Sequence, residues 1–169
     1  FKCIKLKNLK IIIRYEVMPK NNSEYTINYN ANLKKSVLIN APPKKIWRKI
    51  SDVVNLDWLV GMKKCVSKSR NKSGIGTHRQ LEFDDGSVIN EYIIGWEDEH
   101  YFSYIAVDGL PLRGYHATIS LTPHNKKSKV TWESYFNTEE MTQTQFSEFC
   151  LFLEAFYKNS LENLKKLLE

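Results

Sequence analysis

Gly74-Ile75-Gly76-Thr77-His78-Arg79-Gln80-Leu81-Glu82-Phe83-Asp84-Asp85-Gly86-Ser87-Val88-Ile89-Asn90-Glu91-Tyr92-Ile93-Ile94 is the stretch from which the fold is read. Two alternating runs flank Asp84-Asp85-Gly86, a composition that tolerates the positive φ of a tight hairpin. If Phe83 pairs with Ser87, Arg79 falls opposite Glu91. Side chains alternate faces along a strand, so Arg79, Leu81, Phe83, Ile89, Glu91 and Ile93 share one face. His78, Gln80, Glu82 and Asn90 share the other. An ion pair among large apolar side chains is expensive unless its members satisfy each other or a ligand, so this face points to a lined cavity. The competing reading is a structural ion pair on a half-exposed sheet, and a one-residue slip in register would separate the charges.

Working outward, Leu33 to Asn40 reads as a first strand, stopped by Ala41-Pro42-Pro43. Lys44 to Asp52 carries Ile46, Trp47 and Ile50 on one stripe, a short helix that Pro43 suits as a first position. A second short helix is expected over Asn55 to Val60, ending at Gly61. Met62 to Arg70 predicts a strand, and the hairpin adds two. His100 to Val107, Tyr115 to Leu121 and Val130 to Phe136 add three more, separated by Asp108-Gly109-Leu110-Pro111 and by a solvated turn at His124-Asn125-Lys126-Lys127-Ser128.

From Thr142 the period changes. Phe146, Phe149, Cys150, Leu153, Phe156, Tyr157, Ser160, Leu161, Leu164, Leu167 and Leu168 recur at three- and four-residue steps. Thr142 with Gln145 fits a capping box. The helix would run about 27 residues, roughly 40 Å. An apolar face that long must cover something large. The expected class is therefore α+β, with a curved seven-stranded antiparallel sheet around a long C-terminal helix, in the order β-α-α-β6-α.

The 169 residues are 42% hydrophobic and 12% aromatic, which excludes general disorder and allows one sizeable core. No apolar run approaches membrane-spanning length, so no integral membrane association is expected. The formal charge of +6 is concentrated in residues 1–17, where Lys2, Lys5, Lys7, Lys10 and Arg14 face only Glu16. The remaining chain is close to neutral, which argues against a nucleic-acid partner. Residues 1–32 read as a leader, poorly ordered or, before Met18, not native, and residues 33–169 as the folded domain. Cys3, Cys65 and Cys150 are odd in number and far apart, without metal-ligand spacing. Reduced, buried thiols in a cytoplasmic protein fit that pattern, and neither a metal nor a cofactor is expected.

Several local motifs resemble the START-like superfamily, also called SRPBCC or Bet-v-I-like, and within it the polyketide cyclase/dehydrase and lipid-transport group. They are Ile39-Asn40-Ala41-Pro42 leading to Trp47, then Ile50, Asp52 and Trp58. Gly74-x-Gly76-x-x-Arg79, Gly86, Glu91, Tyr104, Pro123 and Val130-Thr131-Trp132 follow. The resemblance spans 33–169. It implies a helix-grip fold with an internal pocket for hydrophobic or amphipathic small molecules, but it does not imply catalysis.

Arg79 and Glu91 are the first-choice polar groups of that pocket: Arg can hold a carboxylate or enolate with forked hydrogen bonds while Glu fixes the Arg. Tyr104 and Tyr115 offer hydroxyls, whereas alternation from Trp132 turns Tyr135 outward. Trp58, Phe83, Trp132, Phe149 and Leu153 complete the candidate lining; each also fits plain core. The loop Gly109 to Gly114 is a candidate gate, where Arg113 could meet an acidic ligand. His78, His100, His116 and His124 are scattered and read as surface residues. No triad, nucleophile elbow, phosphate loop or dinucleotide motif is present, and no catalytic residue is assigned. Three functions remain open: a carrier or sensor of a lipid, isoprenoid or polyketide-like molecule; a cyclase or dehydratase steering an enolate with Arg79 and tyrosine hydroxyls; and a protein-interaction domain with a vestigial pocket.

Overall fold

A computed structural model describes residues 4–5, 12–19, 25–125 and 127–169. Cys3, most of the basic stretch before residue 12, and Lys126 of the expected turn lie outside these residues. The strands are β1 (Ile4–Lys5), β2 (Ile12–Pro19), β3 (Tyr25–Ile39), β4 (Met62–Ser67), β5 (His78–Phe83), β6 (Val88–Glu97), β7 (Tyr101–Asp108), β8 (Gly114–His124) and β9 (Lys127–Thr138). Helix α1 (Pro43–Ile50) follows β3, and α2 (Gln143–Leu168) closes the chain. Among the described residues the strands form one antiparallel sheet in the order β1-β2-β3-β9-β8-β7-β6-β5-β4.

The fold is the expected α+β helix grip, with two differences in its parts. Among the described residues the sheet has eight strands of six residues or more plus the two-residue β1, not seven. β3 starts at Tyr25 rather than Leu33, and β2 also falls within the stretch read as a leader. Asparagine disfavours strands, which hid Asn28, Asn30 and Asn32 from sequence reasoning. Pairing of Tyr29 with Thr138 and Asn30 with Asn137 on β9 overrides that preference. The second difference is that residues 55–60 are turns, not a helix. Leu59 N donates to Leu56 O at 2.9 Å, and Asn55 N to Asp52 O at 3.2 Å, both spanning three residues. Leu56, Trp58 and Leu59 are all buried, a spacing that a helix would spread over its circumference.

Helix α1 buries Ile46, Trp47 and Ile50, the expected stripe. In α2 the Thr142 hydroxyl accepts from Gln145 N, and the Gln145 side chain accepts from Thr142 N at 2.9 Å, the capping box read from the sequence. Its aromatic contacts reach from Tyr29 on β3, through Phe136 and Trp132 on β9, to Phe83 on β5. The sheet therefore bends around the helix. Register shifts in β4 and β6 supply extra bending on that side. The far end of α2 is tied down: Lys45 Nζ donates to Leu168 O at 2.7 Å and Asn40 N to Glu169 Oε1 at 2.7 Å. Leu167, expected on the packed face, is exposed, because the stripe passes through Leu164 and Leu168 instead.

Candidate functional site

The β5–β6 hairpin closes as its sequence dictates. Phe83 N donates to Ser87 O at 2.9 Å, and Gly86 takes the positive φ of 85° that the turn requires. Asp85 Oδ1 accepts from Ser87 N at 2.9 Å and from Ser87 Oγ at 2.7 Å, locking the turn. In this register Arg79 stands opposite Glu91. Both side chains are buried, at 3% and 7% exposure.

Three contacts hold the guanidinium. Nε and NH2 donate to Glu91 Oε2 at 2.8 and 2.7 Å, and NH1 donates to Val53 O at 3.0 Å. Its carbon lies 4.8 Å from the centre of the Tyr104 ring, a cation–π geometry. Burial pushes the Glu91 carboxyl up, and the Arg79 charge pulls it back. The Tyr104 hydroxyl accepts from Trp132 Nε1 at 3.0 Å, and the Tyr115 and Tyr157 hydroxyls bond each other. Burial holds all three phenols well above their ordinary range, so they remain protonated donors.

Around these groups lies a cavity of about 450 Å³. All nine residues singled out from the sequence reach its wall: Trp58, Arg79, Phe83, Glu91, Tyr104, Tyr115, Trp132, Phe149 and Leu153. Trp58 packs edge-on to Trp132 at 5.7 Å, and Phe83 meets Phe156 at 6.0 Å. Sequence reasoning missed Leu56 and Leu59, because a helix was expected there, and Phe152, which lies off the apolar stripe of α2. It also missed Asp84 and Asp85, read only as turn residues. Phe152 is 63% exposed and lines the mouth with Val60, Gly61, Asp84, Asp85 and Gly109 to Pro111. The Gly109–Gly114 loop thus borders the opening, but Arg113 does not face it; Arg113 is exposed and paired with Glu139.

The remaining candidates lie elsewhere. Tyr135 is exposed, as alternation required, and so are His100, His116 and His124. His78 is a correction: it is half-buried and stacked on Tyr92 with ring centres 4.3 Å apart, because Tyr92 stands opposite it in the hairpin. Burial pushes the Cys65 thiol up to about 11 and that of Cys150 up to about 12, so both stay protonated. Among the described residues no group of His, Cys, Asp and Glu could hold a metal ion. No helix among them is long and apolar enough to cross a membrane.

A bent antiparallel sheet gripping a terminal helix, with an apolar hollow between them, defines a helix-grip domain of the SRPBCC, or Bet-v-I-like, type. The polyketide cyclase/dehydrase and lipid transport family matches residues 30–169, and the chain belongs to that family. No curated protein sequence matches the chain. Among solved structures, the XoxI protein of Bacillus cereus is similar at 22% identity and a TM-score of 0.71, covering 81% of this chain and 94% of its own. A protein from Nitrosospira multiformis aligns at 17% identity and TM-score 0.69, over 82% of this chain and 96% of that one. An uncharacterised Bacillus thuringiensis protein aligns at 22% identity and TM-score 0.68, over 81% and 98%. These similarities concern the fold.

Proposed function

We infer that the chain binds a hydrophobic or amphipathic small molecule, of lipid, isoprenoid or polyketide-like character, as a carrier or sensor. The observation that carries this reading is the cavity itself: about 450 Å³, walled by aromatic and aliphatic side chains around one buried ion pair. Volumes of this order, with a few convergent polar groups, suit small-molecule sites. Phe83, Tyr104 and Trp132 line the hollow without filling it, which counts against a vestigial pocket.

The enzyme reading draws support from one feature, the guanidinium stacked on a tyrosine ring inside the cavity. Such a pair can orient an enolate. Protonated phenols and an ion-paired carboxylate are better suited to holding than to relaying protons, so binding is the first reading.

Native mass spectrometry of the purified chain, with solvent extraction, tests it. A co-purifying apolar molecule that is lost on mild unfolding is the expected result. Protein that is empty and also leaves the fluorescence of an apolar dye unchanged would refute it. Turnover of a cyclase or dehydratase substrate, abolished in a folded Arg79→Met variant, would move the assignment to the enzyme.

A further inference from the structure

Among the described residues the wall of the cavity carries one cation, Arg79, against three carboxylates, Asp84, Asp85 and Glu91. The chain outside residues 1–17 is close to neutral, so this acidic excess is a local property of the pocket. Inside, the guanidinium is already balanced, because Nε and NH2 both donate to Glu91 Oε2. An anionic group brought beside this buried pair would be a second carboxylate sharing one cation, a buried charge without compensation. The bonds to Glu91 and Val53 do not use every N–H of the guanidinium, so an uncharged acceptor can still be served there. At the mouth, Asp84 and Asp85 are exposed and flank the opening. Ser87 donates twice to Asp85, which keeps that carboxylate ionised. An acidic headgroup is thus opposed at both ends of the cavity.

We propose that the cavity selects an electrically neutral amphiphile, an apolar body bearing a carbonyl or hydroxyl oxygen that accepts from Arg79, and discriminates against carboxylates. This rests on the reading of the cavity as a binding site. It assigns Glu91 the part of a specificity determinant, since its charge cancels the attraction Arg79 would otherwise exert on an acid.

Three chain-matched probes test the assignment: dodecanol, methyl dodecanoate and dodecanoate, titrated at neutral pH into the full chain below their aggregation limits. Trp58 and Trp132 in the wall give the fluorescence signal, and native mass spectrometry checks stoichiometry. The alcohol and ester are expected to bind about tenfold or more tightly than the carboxylate. In Glu91→Gln the unbalanced guanidinium should draw the carboxylate in, narrowing or reversing that ratio while dodecanol still binds. Wild-type protein that binds dodecanoate as well as dodecanol overturns the proposal, and so does a folded Glu91→Gln variant whose ratio is unchanged. If Glu91→Gln does not fold, the wild-type ratio decides alone. Failure of all three probes to bind removes the binding-site reading and this inference with it.

Discussion

At the residue scale, Arg79 and Glu91 are the most exposed to test, because each makes the other tolerable in a buried site. Arg79→Met leaves a buried carboxylate unpaired and should destabilise the fold by about 3–5 kcal/mol. Arg79→Met with Glu91→Leu removes both charges and should be much milder; a urea-denaturation double-mutant cycle measures the difference. The single variant also carries a pH signature. Without Arg79, burial alone acts on Glu91 and its carboxyl rises further above the unfolded-chain value. The native state then holds that proton more tightly, so stability is intact at low pH and is lost as pH climbs through the native value. The penalty of Arg79→Met should accordingly be smaller at about pH 5 than at about pH 8. An equal penalty at both would mean that water or another group reaches Glu91. This pair was legible in the sequence because a tight turn fixes register and register fixes facing. The Tyr115–Tyr157 contact was not, since it joins β8 to α2 and no local spacing encodes where a helix crosses a sheet.

At the scale of elements, the capping box and the mouth loop make separable predictions. Thr142→Ala removes the acceptor for Gln145 N and should lower stability by about 1 kcal/mol, read as a shift in denaturation midpoint at constant m-value. Gly109 is held at φ 92°, and a Cβ there would lie 1.9 Å from Val88 O. Gly109→Ala must therefore push the loop off β6. A loss of about 1–3 kcal/mol is expected, together with weaker binding of an apolar dye, because the loop borders the cavity. Unchanged dye affinity would detach the loop from the site. Long periodic elements were readable: α2 lies within a residue of where Thr142 and its apolar repeat put it. Residues 55–60 were not, because four apolar side chains among six residues, Leu56, Trp58, Leu59 and Val60, are too few to fix a period and so to separate a helix from a series of turns. Only the hollow beneath them decides between the two.

For the whole molecule, the question is whether the grip stands without its N-terminal edge. The family match begins at residue 30, and of β2 the side chain of Tyr15 packs on Tyr29. We therefore expect a chain starting at Tyr25 to fold with unchanged helix content. It would leave the backbone of 25–32 unpaired along the sheet edge, so concentration-dependent association should appear in sedimentation. Loss of the folded state would instead make the edge strands part of the domain core. The ends of α2 and its middle differ in a way that bears on motion. Its last turns bury Ser160, Leu161, Leu164 and Leu168, and Ser160 Oγ accepts from Val60 N at 3.1 Å. Its first turns are held as well, by Phe146 against Tyr29 and Phe136, whereas the stretch between carries Phe149, Phe152, Leu153 and Phe156 on the wall of the hollow. The helix is a beam supported at both ends and spanning the hollow in between. In the empty protein, amide exchange should run faster along the span than at its two supports, and an occupant would act as the missing prop.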